Sequence, residues 1–293
     1  LRLLPSSVVR RGSVDVAGAI AVTASLSLAV FSIVRAPDQG WTALETILPM
    51  TVALALFAAF LLIQSRKNEP LMPLRIFRVP NLAAANLVMA LLGSAWVPMW
   101  FFLNLYLQQV LGFGAFEAGA ALLPMTVTIM VLMVGGTSRV VGRLGFKATM
   151  IAGLLALSAG IGLLTLVRPE GSFLVDVLPA TLIAALGMSL AYIPAMMLSI
   201  SSAPAEDGGL ASGIVNTTYQ VGSAFGLAVM TAFASGAGAD QIGHAVELTN
   251  GFSVAFTGAA LIALAAAGIG LFWLRSPSHA PSSEVRDELV LER

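Results

Sequence analysis

No cysteine occurs in the 293 residues, histidine occurs twice, and charged residues make up only 10% of the chain. The first absence excludes a disulfide framework, a thiolate nucleophile and a Cys-ligated metal site. His244 and His279 both fall outside the long apolar runs. A serine such as Ser189 in "GMSLA" therefore has no imidazole base within a membrane-length run, and the chain reads as a non-enzyme with no cofactor or metal. The formal net charge is zero, which gives no electrostatic pull toward nucleic acid.

What is abundant is apolar surface. The chain is 58% hydrophobic with a mean hydropathy of +0.91, whereas a soluble domain is about half apolar and a quarter charged. The expectation is an all-α, polytopic membrane protein. A bilayer core of roughly 30 Å requires about 20 apolar residues in a helix, because every backbone donor and acceptor must be satisfied within the segment. Eight windows qualify, near residues 16–34, 45–63, 82–107, 118–136, 148–167, 174–199, 211–234 and 252–274, and none contains Lys or Arg.

Orientation follows from the cations between the windows. The segments 1–15, 64–81, 137–147 and 275–293 hold 13 of the 15 Lys and Arg, leaving Arg35 and Arg168 on the opposite side. Both termini are expected in the cytoplasm and the protein in the cytoplasmic membrane. The stretch "SRKNEPLMPLRIFRVPN", 65–81, mixes Leu71, Leu74 and Phe77 with Arg75 and Arg78, as an interfacial connection does, and Asn81 is placed to cap the next helix. Three regions result: 1–81 with a two-helix front part, 82–275 with six helices, and a polar, disordered tail over 276–293. The basic opening, from Leu1 through "LRLLPSSVVRRGSVD", lacks a cleavage site and is not a signal peptide. A fragment of a longer protein is the favoured reading of Leu1, with a non-standard start codon as the alternative.

Polar residues within spans point to a substrate path. On the third span Trp96, Trp100, Asn104 and Gln108 recur every four residues as a slowly spiralling stripe. Aromatic faces beside amides suit a large, flat, hydrophobic cation. The alternative is amides bonding between helices, with the tryptophans as packing. On the seventh span Asn216, Gln220 and Ser223 share a face with Gly213, and Tyr219 lies beside them, while Gly222 and Gly226 form a small-xxx-small pair. Tyr192 accompanies Gly187, Ser189 and Pro194 on the sixth span, where a bend is expected; Pro124 marks another on the fourth. The acids Asp15, Glu45, Glu117 and Asp176 lie at span ends, and none lies near a midplane.

"TSRVVGRLGFK", 137–147, reads as a short cytoplasmic loop with Arg139, Arg143 and Lys147 and no acid. Its cations fix topology, or they hold one conformation closed by binding helix C-terminal carbonyls, with Gly145 allowing the tight turn.

Three stretches, "EPLMPLRIFR" (69–78), "YLQQVLGFGAFEAGAALLPM" (106–125) and "APAEDGGLASGIVNTTYQVGSAFGLAVM" (203–230), resemble the second half of the fourteen-helix drug:proton antiporters, the EmrB/QacA-like branch of the major facilitator superfamily. The resemblance runs from about Asp15 to Trp273. It implies that the chain supplies two linker helices and a C-terminal six-helix half. The missing partner is then an N-terminal six-helix half, and a homodimer is the alternative. It also implies proton-coupled efflux of small hydrophobic or cationic substrates, with the coupling acids in the missing half. The 137–147 segment is similar to the superfamily signature Gly-x-x-x-Asp-Arg-x-Gly-Arg/Lys. Arg143 and Gly145 match and Lys147 stands one place beyond the final Arg/Lys, but Ser138 replaces Gly and Gly142 replaces Asp, so the acid of the charge relay is absent there. A specialised exporter of one metabolite or antibiotic, or a non-transporting remnant, remains open beside the multidrug reading.

Overall fold

The computed structural model describes residues 15–67, 81–203 and 208–274. All but the ends of the expected interfacial connection, residues 68–80, and the expected tail lie outside these residues, as do the cations at 2, 10, 11, 75, 78, 275, 286 and 293.

Long apolar runs without interior charge form helices because no other structure satisfies the backbone in hydrocarbon. α1 (Val16–Gln39) and α2 (Leu44–Arg66) make an antiparallel hairpin. α3 (Leu82–Leu105) continues into a π-helical turn, Tyr106–Val110. α4 (Ala115–Ala121), α5 (Leu123–Val131), a second π-helical turn (Leu132–Gly136) and α6 (Thr137–Leu164) follow. A third π-helical turn, Phe173–Val177, leads into α7 (Leu178–Ser201), and α8 (Gly208–Gly236) and α9 (Ala245–Phe272) complete the bundle. No strand occurs among the described residues.

Six helical stretches are long and apolar enough to cross a membrane, and the difference from the expected eight has two causes. One stretch, Ala115–Leu164, is 50 residues long, about 75 Å at the helical rise and far more than one crossing needs. It breaks at Gly145, whose φ of 78° and ψ of 168° lie outside helical space, so it folds back as two arms. The other is α8, whose Asn216, Thr217, Thr218, Tyr219 and Gln220 lower its apolarity although it packs lengthwise along α3. The chain is thus an all-α, polytopic membrane protein.

Two details of the sequence reading change. The segment 137–147 is no loop: the helix runs on through Leu144 and turns only at Gly145, the position of this segment whose φ is positive. Asn81 sits at the start of α3 in the left-handed region, with φ 71°, and its side chain does not cap; its carbonyl accepts from the Ala85 N–H at 2.8 Å instead. Pro124 stands in the first turn of α5, just after the break at Leu122, where its missing N–H costs nothing.

α3 is the axis of the body. Val88, Leu92, Met99, Phe102 and Leu103 are buried on it against α7, α8 and α9. Lipid tails are as apolar as leucine, so helices in a bilayer associate through close packing and hydrogen bonds rather than through hydrophobic expulsion. Two glycine seams supply the close approach. A Cβ on Gly222 would meet the Ala90 backbone and one on Gly226 the Ser94 backbone, which fixes α8 on α3. Gly187 stands in the same relation to Leu157, fixing α7 on α6; this glycine packs rather than bends its helix. Hydroxyls add bonds at the seams: Ser94 Oγ donates to Gly222 O at 2.7 Å and Thr137 Oγ1 to Ser189 O at 3.0 Å. The outward faces carry exposed Leu54, Leu62, Val134 and Phe272, suited to hydrocarbon.

Candidate functional site

Packing of α7 against α8 brings two of the expected residues together. The rings of Tyr192 and Tyr219 meet edge to face, with centroids 5.5 Å apart and planes at 83°. Both are half-buried. One turn further along α8, Ser223 Oγ donates to the Tyr219 carbonyl at 2.8 Å and anchors that part of the helix. On the same helix Asn216 and Gln220 are exposed and make no side-chain hydrogen bond among the described residues. An amide facing hydrocarbon without a partner is costly, so this face is built for something other than lipid.

The α3 stripe divides along its length. Trp96 is buried in the core and Trp100 half-buried, with centroids 6.3 Å apart and planes at 69°. Beyond them the Gln108 amide donates to Asn104 Oδ1, so the two amides satisfy each other along one helix rather than bonding between helices. A four-residue spacing turns the stripe by about 40° per step. Trp96 therefore faces the core, while Asn104 and Gln108, two and three steps on, have rotated to a partly open side.

The cationic segment splits as well. Lys147 Nζ donates to the Leu271 carbonyl at 3.0 Å, in the last turn of α9, where a cation also meets the negative end of the helix dipole. Arg139 Nη1 bonds within its own helix, to Gly135 O at 3.1 Å. Arg143 is exposed without a hydrogen bond among the described residues. Gly145, between them, supplies the turn that brings Lys147 under α9.

Two features were not foreseen. At the N-terminus of α1, Asp15 is buried and accepts from Lys67 Nζ at 2.6 Å, Gln64 Nε2 at 2.8 Å and the Gly18 N–H at 3.0 Å. Donation from Lys67, followed by the Gly18 N–H, holds its carboxyl below the usual carboxylate range against the opposing effect of burial. This cluster locks the open end of the α1–α2 hairpin. The second is a cavity of about 770 Å³ between that hairpin and α3 and α8, walled by Val22, Leu26, Phe57, Phe60 and Phe225. Gly213 is the only residue of the sequence-derived polar face that reaches it. No sequence signal marks it, since its walls are ordinary apolar residues from four helices.

Comparison with known proteins places these elements in context. The family model of the Major Facilitator Superfamily matches residues 8–227 and 139–290. The cephamycin export protein CmcT of Amycolatopsis lactamdurans is 31% identical over 258 residues, 88% of this chain and 52% of that protein. The tetracenomycin C resistance and export protein of Streptomyces glaucescens is 32% identical over 219 residues, covering 74% of this chain and 40% of its own length. The multidrug resistance protein Stp of Mycobacterium tuberculosis (strain ATCC 25618 / H37Rv) is 28% identical over 218 residues, again 74% of this chain and 40% of the relative. The chain spans about half the length, or less, of these curated relatives.

Proposed function

The chain belongs to the Major Facilitator Superfamily, and we propose that it supplies the linker helices and C-terminal half of a fourteen-helix exporter that exchanges protons for hydrophobic, often cationic compounds. It works in the cytoplasmic membrane with both termini in the cytoplasm, by alternating access against an N-terminal six-helix half. The observation that carries this reading is the exposed amide face of α8, Asn216 and Gln220, beside the Tyr192–Tyr219 pair. Aromatic rings and amides on a half-buried surface offer a cation its π contacts and a neutral drug its hydrogen bonds. The same face, unpartnered in the described residues, supports a second helical half packed opposite.

The acids whose side chains the structure describes, Asp15, Glu45, Glu117, Glu170, Asp176, Asp240 and Glu247, lie in turns, caps or end turns of helices. Coupling to protons needs a group within the membrane whose pKa responds to substrate, so the coupling acid belongs to the partner half. Lys147 on the α9 carbonyl is a gating contact: it ties the turn at Gly145 to α9 and must release when that end opens.

A second reading is favoured by the names of the relatives, several of which are tied to one antibiotic. A specialised exporter of this fold would recognise a single metabolite at the same α7–α8 face.

Equilibrium binding tests the site. Purified chain in lipid nanodiscs is titrated with ethidium and with rhodamine 6G, read by dye anisotropy. Both dyes bind in the multidrug reading, and Tyr219→Ala weakens each about two- to twelvefold, as loss of an aromatic contact of about 0.5–1.5 kcal/mol requires. Binding unchanged by Tyr219→Ala and by Gln220→Ala would place the site elsewhere.

A further inference from the structure

The cavity between the α1–α2 hairpin and the body meets the amide face of α8 only at Gly213, and Asn216, Tyr219 and Gln220 do not line it, so the proposed drug site does not account for it. We propose that it is a binding site for an acyl chain of an anionic phospholipid, with the headgroup at the Arg66 end of the bundle.

Depth supports the chain. The lining residues on α8 run from Gly209 to Phe225, about 24 Å of a helix that extends about 43 Å. The cavity therefore extends from the first turn of α8 to just beyond its middle. That is the headgroup boundary plus one leaflet of a bilayer core of about 30 Å. α1 runs parallel to α8, with Ile33 against Ala228 and Ala232 beyond Phe225, and the hairpin adds Val22, Leu26, Phe57 and Phe60 to the wall.

Chemistry supports a lipid over water. Water needs polar partners, whereas this wall is formed by Val22, Leu26, Phe57 and Phe60. Outside lies hydrocarbon, so an alkyl chain enters without leaving a better solvent. Thr217 and Thr218, about two turns in from Gly209, make no side-chain hydrogen bond among the described residues and offer hydroxyls to an ester oxygen. The volume, about 770 Å³, lies within the usual range for small-molecule sites.

Charge supports an anionic headgroup. Among the described residues, the end of the bundle at Gly209 carries Arg66, Lys67, Arg139, Arg143 and Lys147, and the other end Arg35 and Arg168. Lys67 is taken by Asp15. Arg66, less than two turns beyond Phe60, is exposed and has no ion pair among the described residues.

Photo-crosslinking tests this. The full chain is reconstituted with phosphatidylglycerol, or phosphatidylcholine, carrying a diazirine on one acyl chain, and labelled peptides are mapped by mass spectrometry. Labelling should concentrate on α1, α2 and the Gly209–Phe225 part of α8, with phosphatidylglycerol preferred. A Cβ on Gly209 or Gly213 meets nothing within 4 Å, so Gly213→Leu and Gly209→Leu add bulk at two lining positions whose first carbon is unopposed. Each should cut that labelling about tenfold, and size-exclusion behaviour shows that each is folded. Gly119→Leu, at a comparably open position on α4, should leave it unchanged. Arg66→Gln should remove the headgroup preference and keep the labelled positions. Labelling spread evenly over the outer faces, or equal in Gly213→Leu and Gly119→Leu, overturns the site. Displacement of the lipid label by micromolar ethidium would assign the cavity to the drug and overturn it too, and a headgroup preference unaffected by Arg66→Gln overturns the anionic half of the proposal.

Discussion

Tyr192 on α7 and Tyr219 on α8 meet ring edge to ring face at 5.5 Å, joining two helices at a half-buried face that also carries Asn216 and Gln220. An edge-to-face pair contributes about 0.5–1.5 kcal/mol beyond the area it buries. In a cycle of Tyr192→Leu, Tyr219→Leu and the double variant, thermal unfolding in detergent should show coupling of about that size. Additive effects would mean that the rings are neighbours without interaction.

The glycine seams set a sharper test of packing. Gly222→Leu should lower stability by about 1–3 kcal/mol or more, since the added side chain meets the Ala90 backbone, which cannot rotate away. Gly162→Ala, on an open face of α6, should raise it by about 0.5–1 kcal/mol. The unfolding midpoint of each purified variant reads the difference, and equal midpoints would contradict the seam.

Gly145 holds φ 78° and ψ 168°, a region that is costly for any residue with a Cβ, by about 1–3 kcal/mol. Gly145→Ala should therefore destabilise the chain and loosen the Lys147 contact with α9, while Gly142→Ala, inside regular helix with open space around it, should not. Faster hydrogen exchange at the α9 C-terminus in the first variant alone is the expected result.

Asp15 gives the hairpin a dependence on acid. Its carboxyl is held below the ordinary 3.8 by the Lys67 ammonium and the Gly18 N–H. A lowered folded-state value contributes stability that is fully present above the unfolded value and is lost as pH falls through the folded one. Wild type should therefore be more stable than Asp15→Asn near neutral pH, and the gap should close below 3.8. A gap that stays constant on acidification would show that the ion pair does not stabilise the hairpin.

Much of this architecture was legible because membrane spans obey a strong rule: interior charge is excluded and backbone groups must pair within the helix. Hence the windows at 16–34, 82–107 and 252–274 lie within or close to α1, α3 and α9. The α4–α6 region was read less well. Helix propensity continues through Arg139 and Arg143, so only the φ of Gly145 locates the turn, and the π-helical turns at Tyr106–Val110 and Leu132–Gly136 have no composition of their own. At the candidate site, residue type singled out Tyr192 and Tyr219 separately, but their meeting depends on how the Gly187 and Gly222 seams set α7 and α8. Trp96 is buried in the core because a four-residue stripe drifts around the helix. The hairpin cavity was invisible, since a wall of Val, Leu and Phe from four helices differs from ordinary core only in what it leaves empty.

The most direct test of the account is proton-driven transport. Inverted membrane vesicles containing this chain, with or without a co-expressed N-terminal six-helix half from a drug-exporting relative, are acidified inside and ethidium accumulation is followed by fluorescence. The account predicts accumulation against a gradient only when both halves are present, abolished by a protonophore and reduced by Tyr219→Ala. Uphill, protonophore-sensitive accumulation by this chain without the other half would contradict it.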